Sequence, residues 1–230
     1  MELSPRLRAL ADWVSKGACF ADIGTDHAYL PAWLILNGVI DRAIAADLRP
    51  GPLDRARETA EKYDLSDRMD FRLCDGLIGI QPGEADTIAI AGMGGETIAH
   101  ILEQAPWTKG EGITLILQPM TSQPDLRAWL SENGYAIEQE QTAREDKTLY
   151  TIMLVRPGAM EPMAPAELVA GRQSRDPLRG TLLDHLAGKT RRALEGRRTA
   201  ARRNEAEITR LEQILEGLID MKKEWDTWQQ

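Results

Sequence analysis

Short apolar runs alternate with segments of helical periodicity over the first 155 residues of the chain. Apolar runs bounded by turn residues indicate buried strands, whereas apolar residues repeating at helical spacing indicate helices that cover a sheet. The predicted strands comprise residues 18–23, 42–46, 69–74, 87–91 and 113–118. The predicted helices comprise residues 5–15, 29–36, 53–63 and 124–133, with a turn at 50–52. This alternation predicts an α/β fold built on a parallel sheet.

Two further extended runs follow the last of these helices, at residues 135–142 and 148–155. The charged segment 144–147 between them predicts an antiparallel hairpin at the edge of the sheet. The segment 157–165 is rich in proline and is predicted to be a linker.

Beyond the linker, apolar residues recur in a heptad pattern, so we divide the chain into a sheet domain, 1–157, and a helical, coiled-coil domain, 158–230. The apolar seam comprises Leu183, Ala187, Leu194, Ala201, Ile208, Leu211, Leu215, Leu218 and Trp225. Polar residues also fall on the seam, at Thr190, Arg197, Asn204 and Lys222. A parallel dimer would bury them at a cost. We therefore favour a helical hairpin packed on itself, using residues 166–179, and expect a monomer or a weak homodimer.

Acidic residues lie at the ends of the first three predicted strands. Asp22 and Gly24 end the first strand, Asp47 ends the second, and Asp75 and Gly76 follow the third. Aspartate is a poor strand former and is rarely buried, so the repetition favours a functional site at the carboxyl ends of the strands. The alternative for each acid taken singly is a helix cap or a turn residue.

The glycine pattern argues against a dinucleotide cofactor. A pyrophosphate site would show G-x-G-x-x-G, but the sequence from Gly24 reads G-T-D-H-A-Y. S-adenosylmethionine has no phosphate, and it carries a sulfonium, an ammonium, ribose hydroxyls and an adenine amine. Asp22 can accept from the ammonium, Asp47 from the ribose hydroxyls and Asp75 from the adenine amine. The acids therefore predict S-adenosylmethionine as the cofactor.

The turn predicted after the fourth strand reads Ala91-Gly92-Met93-Gly94-Gly95. No side chain in it can polarise an exocyclic amine, but the turn can present backbone groups and a slim surface to a flat base, with Met93 as a packing partner. We assign Ala91 to cofactor binding, and Gly92 and Met93 to the catalytic centre. Glycines that serve only the turn and close helix packing are the alternative.

Three segments together resemble a known family. Residues 21–31 (ADIGTDHAYLP), 90–95 (IAGMGG) and 115–119 (LILQP) are similar to those of the bacterial tRNA methyltransferases that modify N1 of adenosine 22. The similarity runs from about Arg6 to about Val155. The resemblance implies a Rossmann-like class I methyltransferase sheet followed by a C-terminal coiled-coil domain, and a reaction between S-adenosylmethionine and tRNA.

The reaction implied by this resemblance assigns roles to three residues of the first motif. N1 of adenine has an in-plane lone pair, so catalysis requires positioning more than a strong base. The nucleotide must first be unstacked or flipped, at a cost of a few kcal/mol. Tyr29 is a candidate stacking ring, and Asp26 or His27 can bond the adenine edge or accept a proton. A core position for Tyr29 and a helix-capping role for His27 are the alternatives.

Positive charge is concentrated in one segment of an acidic chain. The net charge is −8, but residues 189–203 carry seven basic side chains against Glu195. These are Lys189, Arg191, Arg192, Arg197, Arg198, Arg202 and Arg203. Such segregation is the electrostatic footprint of phosphate contact and predicts a tRNA-binding surface. A solvated helix face is the alternative.

Cysteine content and hydropathy indicate the compartment. Cys19 and Cys74 lie within predicted strands, and we expect packed thiols rather than a disulfide or a metal site. No apolar run approaches the roughly 20 residues of a membrane span, and we expect no signal peptide. A cytoplasmic enzyme without a metal or membrane partner is therefore predicted. The competing functions are a methyltransferase for another RNA or a small molecule, and a noncatalytic RNA-binding protein of the same fold.

Overall fold

The computed structural model describes residues 1–172, 175–200 and 203–229, and within them seven strands form one sheet. The strands are β1 Phe20–Ile23, β2 Ala43–Asp47, β3 Met69–Leu73, β4 Thr87–Gly94, β5 Thr114–Thr121, β6 Tyr135–Glu145 and β7 Thr148–Pro157. Their order is β3-β2-β1-β4-β5-β7-β6. Strands β1 to β5 pair in parallel, whereas β7 is antiparallel to both β5 and β6. The predicted parallel sheet with a terminal hairpin is confirmed.

Helices cover both faces of the sheet and form the C-terminal region. They are α1 Pro5–Ala11, α2 Tyr29–Leu36, α3 Pro50–Lys62, α4 Gly95–Glu103, α5 Gln123–Glu132, α6 Pro165–Ala170, α7 Arg179–Thr199 and α8 Glu205–Trp228. Within β1, Phe20 packs in the core beneath α1 and α2, and Ile23 packs in the core beneath α4 and α5. A strand buried on both faces requires a continuous apolar run, and such runs allowed the strands to be predicted from the sequence.

Three details of the sequence prediction are corrected. The segment 50–52, predicted as a turn, forms the first turn of α3, because proline is tolerated where the backbone N–H has no helical partner. Strand β4 continues to Gly94 with an irregular register. The prediction of a packed thiol at Cys19 is wrong: the residue precedes β1 and is exposed, while Cys74 follows β3 and is half-buried.

The C-terminal helices α7 and α8 pack together as an antiparallel hairpin, as the polar seam positions favoured. Helix α6 joins them in a small apolar core of Ala166, Ala170, Leu183, Ile214 and Leu218. The predicted apolar seam is wrong at one position of α8: Leu215 was assigned to the seam, but Ile214 is buried there and Leu215 is half-buried. The predicted seam residue Ala201 lies outside the described residues.

Candidate cofactor and substrate site

A cavity of about 490 Å³ opens at the carboxyl ends of β1, β2 and β4. It lies where the strand order reverses between β1 and β4, which is the usual ligand crevice of an open α/β sheet. Nine of the residues predicted to serve the cofactor or catalysis line it: Asp22, Gly24, Asp26, His27, Tyr29, Asp47, Ala91, Gly92 and Met93. The sequence motifs therefore meet in one place.

Gly24 brings the chain leaving β1 close to the end of β4. Its φ of +76° favours glycine, and a Cβ at this position would lie 2.2 Å from the Met93 Cε atom. The Gly24 N–H donates to the carbonyl of Ala46 at 2.8 Å, which fixes the turn against β2. Gly24 and Met93 thus form one slim wall of the cavity, as the glycine-rich motifs predicted.

Asp22 is a buried carboxylate on the cavity wall. Burial raises its pKa to about 6, and the Thr25 side chain and the Arg6 guanidinium oppose this rise, whereas Asp47 adds to it. A carboxylate that is costly to ionise on its own is suited to a cationic ligand, because the ligand's charge replaces the lost solvation. An ammonium group is such a ligand.

Asp47 ends β2 and is held in a fixed orientation. Its Oδ1 atom accepts from the Arg49 backbone N–H at 2.8 Å, and its side chain is buried beside the cavity. The Oδ2 atom has no described protein donor. A fixed carboxylate with available acceptor positions at the end of the second strand fits a pair of ribose hydroxyls.

Asp26, His27 and Tyr29 form the outer rim of the cavity. Asp26 accepts from the Arg55 guanidinium, and its Oδ2 atom lies 3.7 Å from His27 Nε2. The His27 and Tyr29 rings stack with centroids 4.9 Å apart. Tyr29 is 44% exposed, so the alternative of a core aromatic is wrong. The capping alternative for His27 is also wrong, because α2 begins after Ala28 without a side-chain cap.

Arg6 and Gln118 also belong to the site, but the sequence analysis singled out neither residue. The buried Gln118 Oε1 atom accepts from Arg6 Nη1 at 2.9 Å and from the Gly92 backbone N–H at 3.2 Å. This contact fixes Gly92, whose φ is +79°, at the irregular end of β4. A glutamine inside an apolar strand run was a readable signal, but nothing in the sequence indicated Arg6.

Asp75 and Gly76 are not brought into the cavity lining. Asp75 is exposed in the turn after β3. Gly76, with φ +52°, packs against α4, since a Cβ there would lie 2.8 Å from an Ile101 side-chain carbon. Gly76 therefore has a packing role in this structure, and adenine recognition by Asp75 stays a prediction.

Exposed aliphatic side chains lie at the ends of β2 and β3, near Asp75. Leu48 follows Asp47, Leu73 ends β3, and Ile78 lies in the next turn; each is at least 60% exposed. The register of the sheet pairs Asp47 with Leu73, so the ends of β2 and β3 lie side by side. Large apolar groups in such positions are suited to the faces of a planar base.

The predicted RNA-binding residues that the structure describes are exposed on α7 and on the segment that follows it. Arg197 pairs with Glu207 at 2.8 Å and Arg198 pairs with Glu212 at 2.5 Å, because α8 folds back beside α7. Of the seven residues of this cluster, four have no ion-pair partner among the residues described: Lys189, Arg191, Arg192 and Arg203. Arg202 lies outside the described residues. Folding thus divides the cluster into a paired and an unpaired group, which the sequence could not reveal.

The residues that the structure describes contain no group of three or more His, Cys, Asp or Glu side chains arranged to hold a metal ion. Among the helices described, none combines the length and apolar character needed to cross a membrane.

The fold and the site together define a class I methyltransferase. A family model for a methyltransferase domain matches residues 3–153. A tRNA (adenine(22)-N(1))-methyltransferase of Bacillus subtilis is 41% identical over 158 residues, which span 69% of this chain and 66% of that relative, just under two thirds. The chain therefore belongs to the family that this methyltransferase-domain model describes.

Solved structures extend the similarity to the C-terminal helices. The crystal structure of the B. subtilis M1A22 tRNA methyltransferase has a TM-score of 0.84 at 32% identity, and the match covers 96% of this chain and 99% of that one. A Streptococcus pneumoniae protein solved in complex with S-adenosyl-L-methionine has a TM-score of 0.82 at 32% identity, covering 96% and 100% of the two chains. The similarity to these structures therefore includes the C-terminal helices as well as the sheet.

Proposed function

We propose that this protein transfers the methyl group of S-adenosylmethionine to N1 of adenosine 22 in tRNA. The observation that carries the proposal is the convergence of Asp22, Asp47 and the slim wall of Gly24 and Met93 on one cavity. The substrate and the nucleotide position are inferred from the tRNA methyltransferases to which the chain is similar.

The residues of the cavity fit the cofactor. Asp47 accepts from the ribose hydroxyls, and Asp22, once ionised, accepts from the ammonium group. Leu48, Leu73 and Ile78 provide apolar surface for the adenine ring. When bound, the cofactor supplies a methyl group activated by the positive sulfur, which leaves as a neutral thioether.

The protein's part in catalysis is to position the target base. The exposed Tyr29 ring offers a stacking surface for an unstacked adenine, and Gly92 and Met93 leave room for the flat base at the end of β4. Gln118 and Arg6 hold Gly92 in place. The N1 lone pair needs no deprotonation before it attacks, so the main requirement is alignment. In this proposal Asp26 and His27, on the rim of the cavity, accept from the adenine amine.

The helical hairpin binds the RNA backbone in this proposal. Lys189, Arg191, Arg192 and Arg203 have no carboxylate partner in the described chain, so their charge is available to phosphates. Arg197 and Arg198 must exchange a carboxylate for a phosphate and contribute less. We propose the same division as the sequence predicted, with catalysis in 1–157 and RNA contact in 158–230, in a cytoplasmic protein that acts as a monomer or a weak homodimer.

The test is transfer of labelled methyl from S-adenosylmethionine to an unmodified tRNA transcript. A transcript with guanosine in place of adenosine 22 is the matched control. We expect label on the first transcript and none on the second. Equal labelling of both transcripts, or no labelling despite measurable cofactor binding, would refute the assignment of the target and leave another RNA or a small molecule as substrate.

A further inference from the structure

Three charged side chains are buried together where the C-terminal helices meet the sheet domain. Arg127 of α5 is 1% exposed and Arg179, the first residue of α7, is 3% exposed. The side chain of Glu140, on β6, is 8% exposed. Charged residues are almost never buried this completely unless they are paired, so the cluster requires an explanation.

Both arginines bind the last carbonyl groups of helix α6. Arg127 Nη1 donates to the carbonyls of Leu168 at 2.7 Å and Val169 at 3.2 Å. Arg179 donates to the carbonyl of Ala170, and through Nη2 to that of Gly171 at 2.8 Å. These carbonyls lack helical partners, and they lie at the negative end of the helix. Two guanidinium groups from different parts of the fold thus bind one helix end.

Glu140 balances this positive charge. Its Oε1 atom accepts from Arg127 Nε at 2.9 Å and forms an ion pair with Nη2 of the same guanidinium at 2.8 Å. Burial lowers the pKa of Arg179, and the Glu140 charge opposes that effect. The end of α6 reaches the carboxylate only because residue 171 is glycine: its φ is +74°, and a Cβ there would lie 1.8 Å from Glu140 Oε2.

The cluster connects the sheet domain to the helical hairpin. Arg127 and Glu140 belong to the sheet domain, whereas Arg179 begins α7. Helix α6 in turn packs closely on α8, where a Cβ on Gly217 would lie 2.5 Å from the Ala166 Cβ. Asp176 makes a second connection between β6 and α7. It accepts from the Thr142 N–H of β6 and from the N–H of Leu178, which precedes α7.

Stability alone is a weak explanation for such a cluster. Taking charges out of water is costly, and apolar residues of similar volume often stabilise a fold equally well. Directional bonds to four carbonyls, however, fix an orientation that apolar packing leaves less defined. We propose that Arg127, Glu140 and Arg179 are positioning residues that fix the direction of the α7–α8 hairpin relative to the catalytic cavity. The consequence for RNA rests on the proposed function: the cluster holds the basic residues of α7 where tRNA can reach them and the cavity together.

The first test measures the orientation directly. Spin labels are placed at the exposed Cys19 and at Gln213→Cys on α8, with Cys74 changed to Ser, and the distance between them is measured by double electron–electron resonance. We expect one narrow distance distribution in the otherwise unchanged protein and a broader or displaced one after Glu140→Gln. The matched control is Glu138→Gln, which breaks an exposed ion pair with Arg156 on the same hairpin. A broad distribution before any change at the cluster, or identical distributions for both Gln variants, would overturn the proposal.

The second test separates positioning from simple stabilisation. In Glu140→Gln we expect the KM for tRNA to rise by about tenfold, while the S-adenosylmethionine dissociation constant stays within about twofold. A triple variant with Arg127→Met, Glu140→Leu and Arg179→Met tests the same point with an apolar cluster. If either variant is folded and has an unchanged KM for tRNA, the cluster has only a structural role. If the unmodified protein transfers no methyl group to tRNA, the proposed function fails, and the distance measurement still decides the orientation.

Discussion

At the scale of single residues, the cavity keeps a carboxylate in an environment that resists its ionisation. Burial raises the pKa of Asp22 to about 6 from the 3.8 of an unperturbed aspartate. The folded protein therefore binds the proton more tightly than the unfolded chain, and the stability gained from this is lost as the pH rises from about 4 through about 6. Above that range the ionised Asp22 costs roughly 3 kcal/mol in the cofactor-free protein.

Asp22→Asn should therefore stabilise the cofactor-free protein in a pH-dependent way. We expect a gain of about 2–3 kcal/mol at pH 7.5 that disappears near pH 4, measured by urea unfolding at both values. The same variant should bind S-adenosylmethionine more weakly, because the ammonium loses its charged acceptor. An equal gain at both pH values would show that the Asp22 carboxyl does not titrate as described.

Asp47, at the end of β2, should contribute more to S-adenosylmethionine binding than Asp75, which follows β3. Asp47→Ala removes the fixed acceptor of the ribose hydroxyls, and we expect S-adenosylmethionine binding to weaken by more than about tenfold in calorimetry. Asp75→Ala is the matched control, because Asp75 is exposed outside the cavity lining. Equal losses in the two variants would mean that Asp75 contacts the cofactor as the sequence predicted.

The sequence predicted which residues line the cavity where a residue's own neighbours along the chain define its position. Asp22, Gly24 and Asp47 were identifiable because each ends a short apolar run. Arg6 was not, since its partner Gln118 is 112 residues away and only the packing of α1 over the sheet brings them together.

At the scale of elements, the sequence defined the strands of the parallel sheet better than it defined the helical hairpin. Buried strands produce continuous apolar runs with clear limits. Helix α8 is amphipathic with several half-buried positions, so its seam was assigned one residue away at Leu215. The charge count for residues 189–203 set the basic residues against Glu195 alone, whereas α8 brings Glu207 and Glu212 to Arg197 and Arg198.

This pairing leads to a prediction for helix α7. Arg191→Glu with Arg192→Glu should weaken tRNA binding and make the slope of log K against log salt shallower by about 2, because two phosphate contacts are lost. The corresponding double change at Arg197 and Arg198 should have a smaller effect. Lys16→Glu with Arg42→Glu, at the opposite end of the sheet, is the matched control. Binding that is equally insensitive to all three pairs would favour a solvated helix face.

At the scale of the whole molecule, the proposed function requires the catalytic cavity and the basic helix α7 to face the same RNA. The buried cluster of Arg127, Glu140 and Arg179 connects α5 and β6 to α6 and α7. The sequence predicted both parts and the linker at 157–165, but it did not predict this junction. Its members come from α5, β6 and α7, and no local pattern distinguishes a buried arginine from an exposed one.

In the proposed function, this site methylates a ring nitrogen by positioning the base. The end of β4 offers Gly92 and Met93, and no side chain there can polarise an amine. The direct measurement is the identity of the modified nucleoside, obtained by digesting methylated tRNA and separating the products by mass spectrometry against synthetic standards. We predict 1-methyladenosine. N6-methyladenosine, or a methylated nucleoside other than adenosine, would refute methylation of the ring nitrogen.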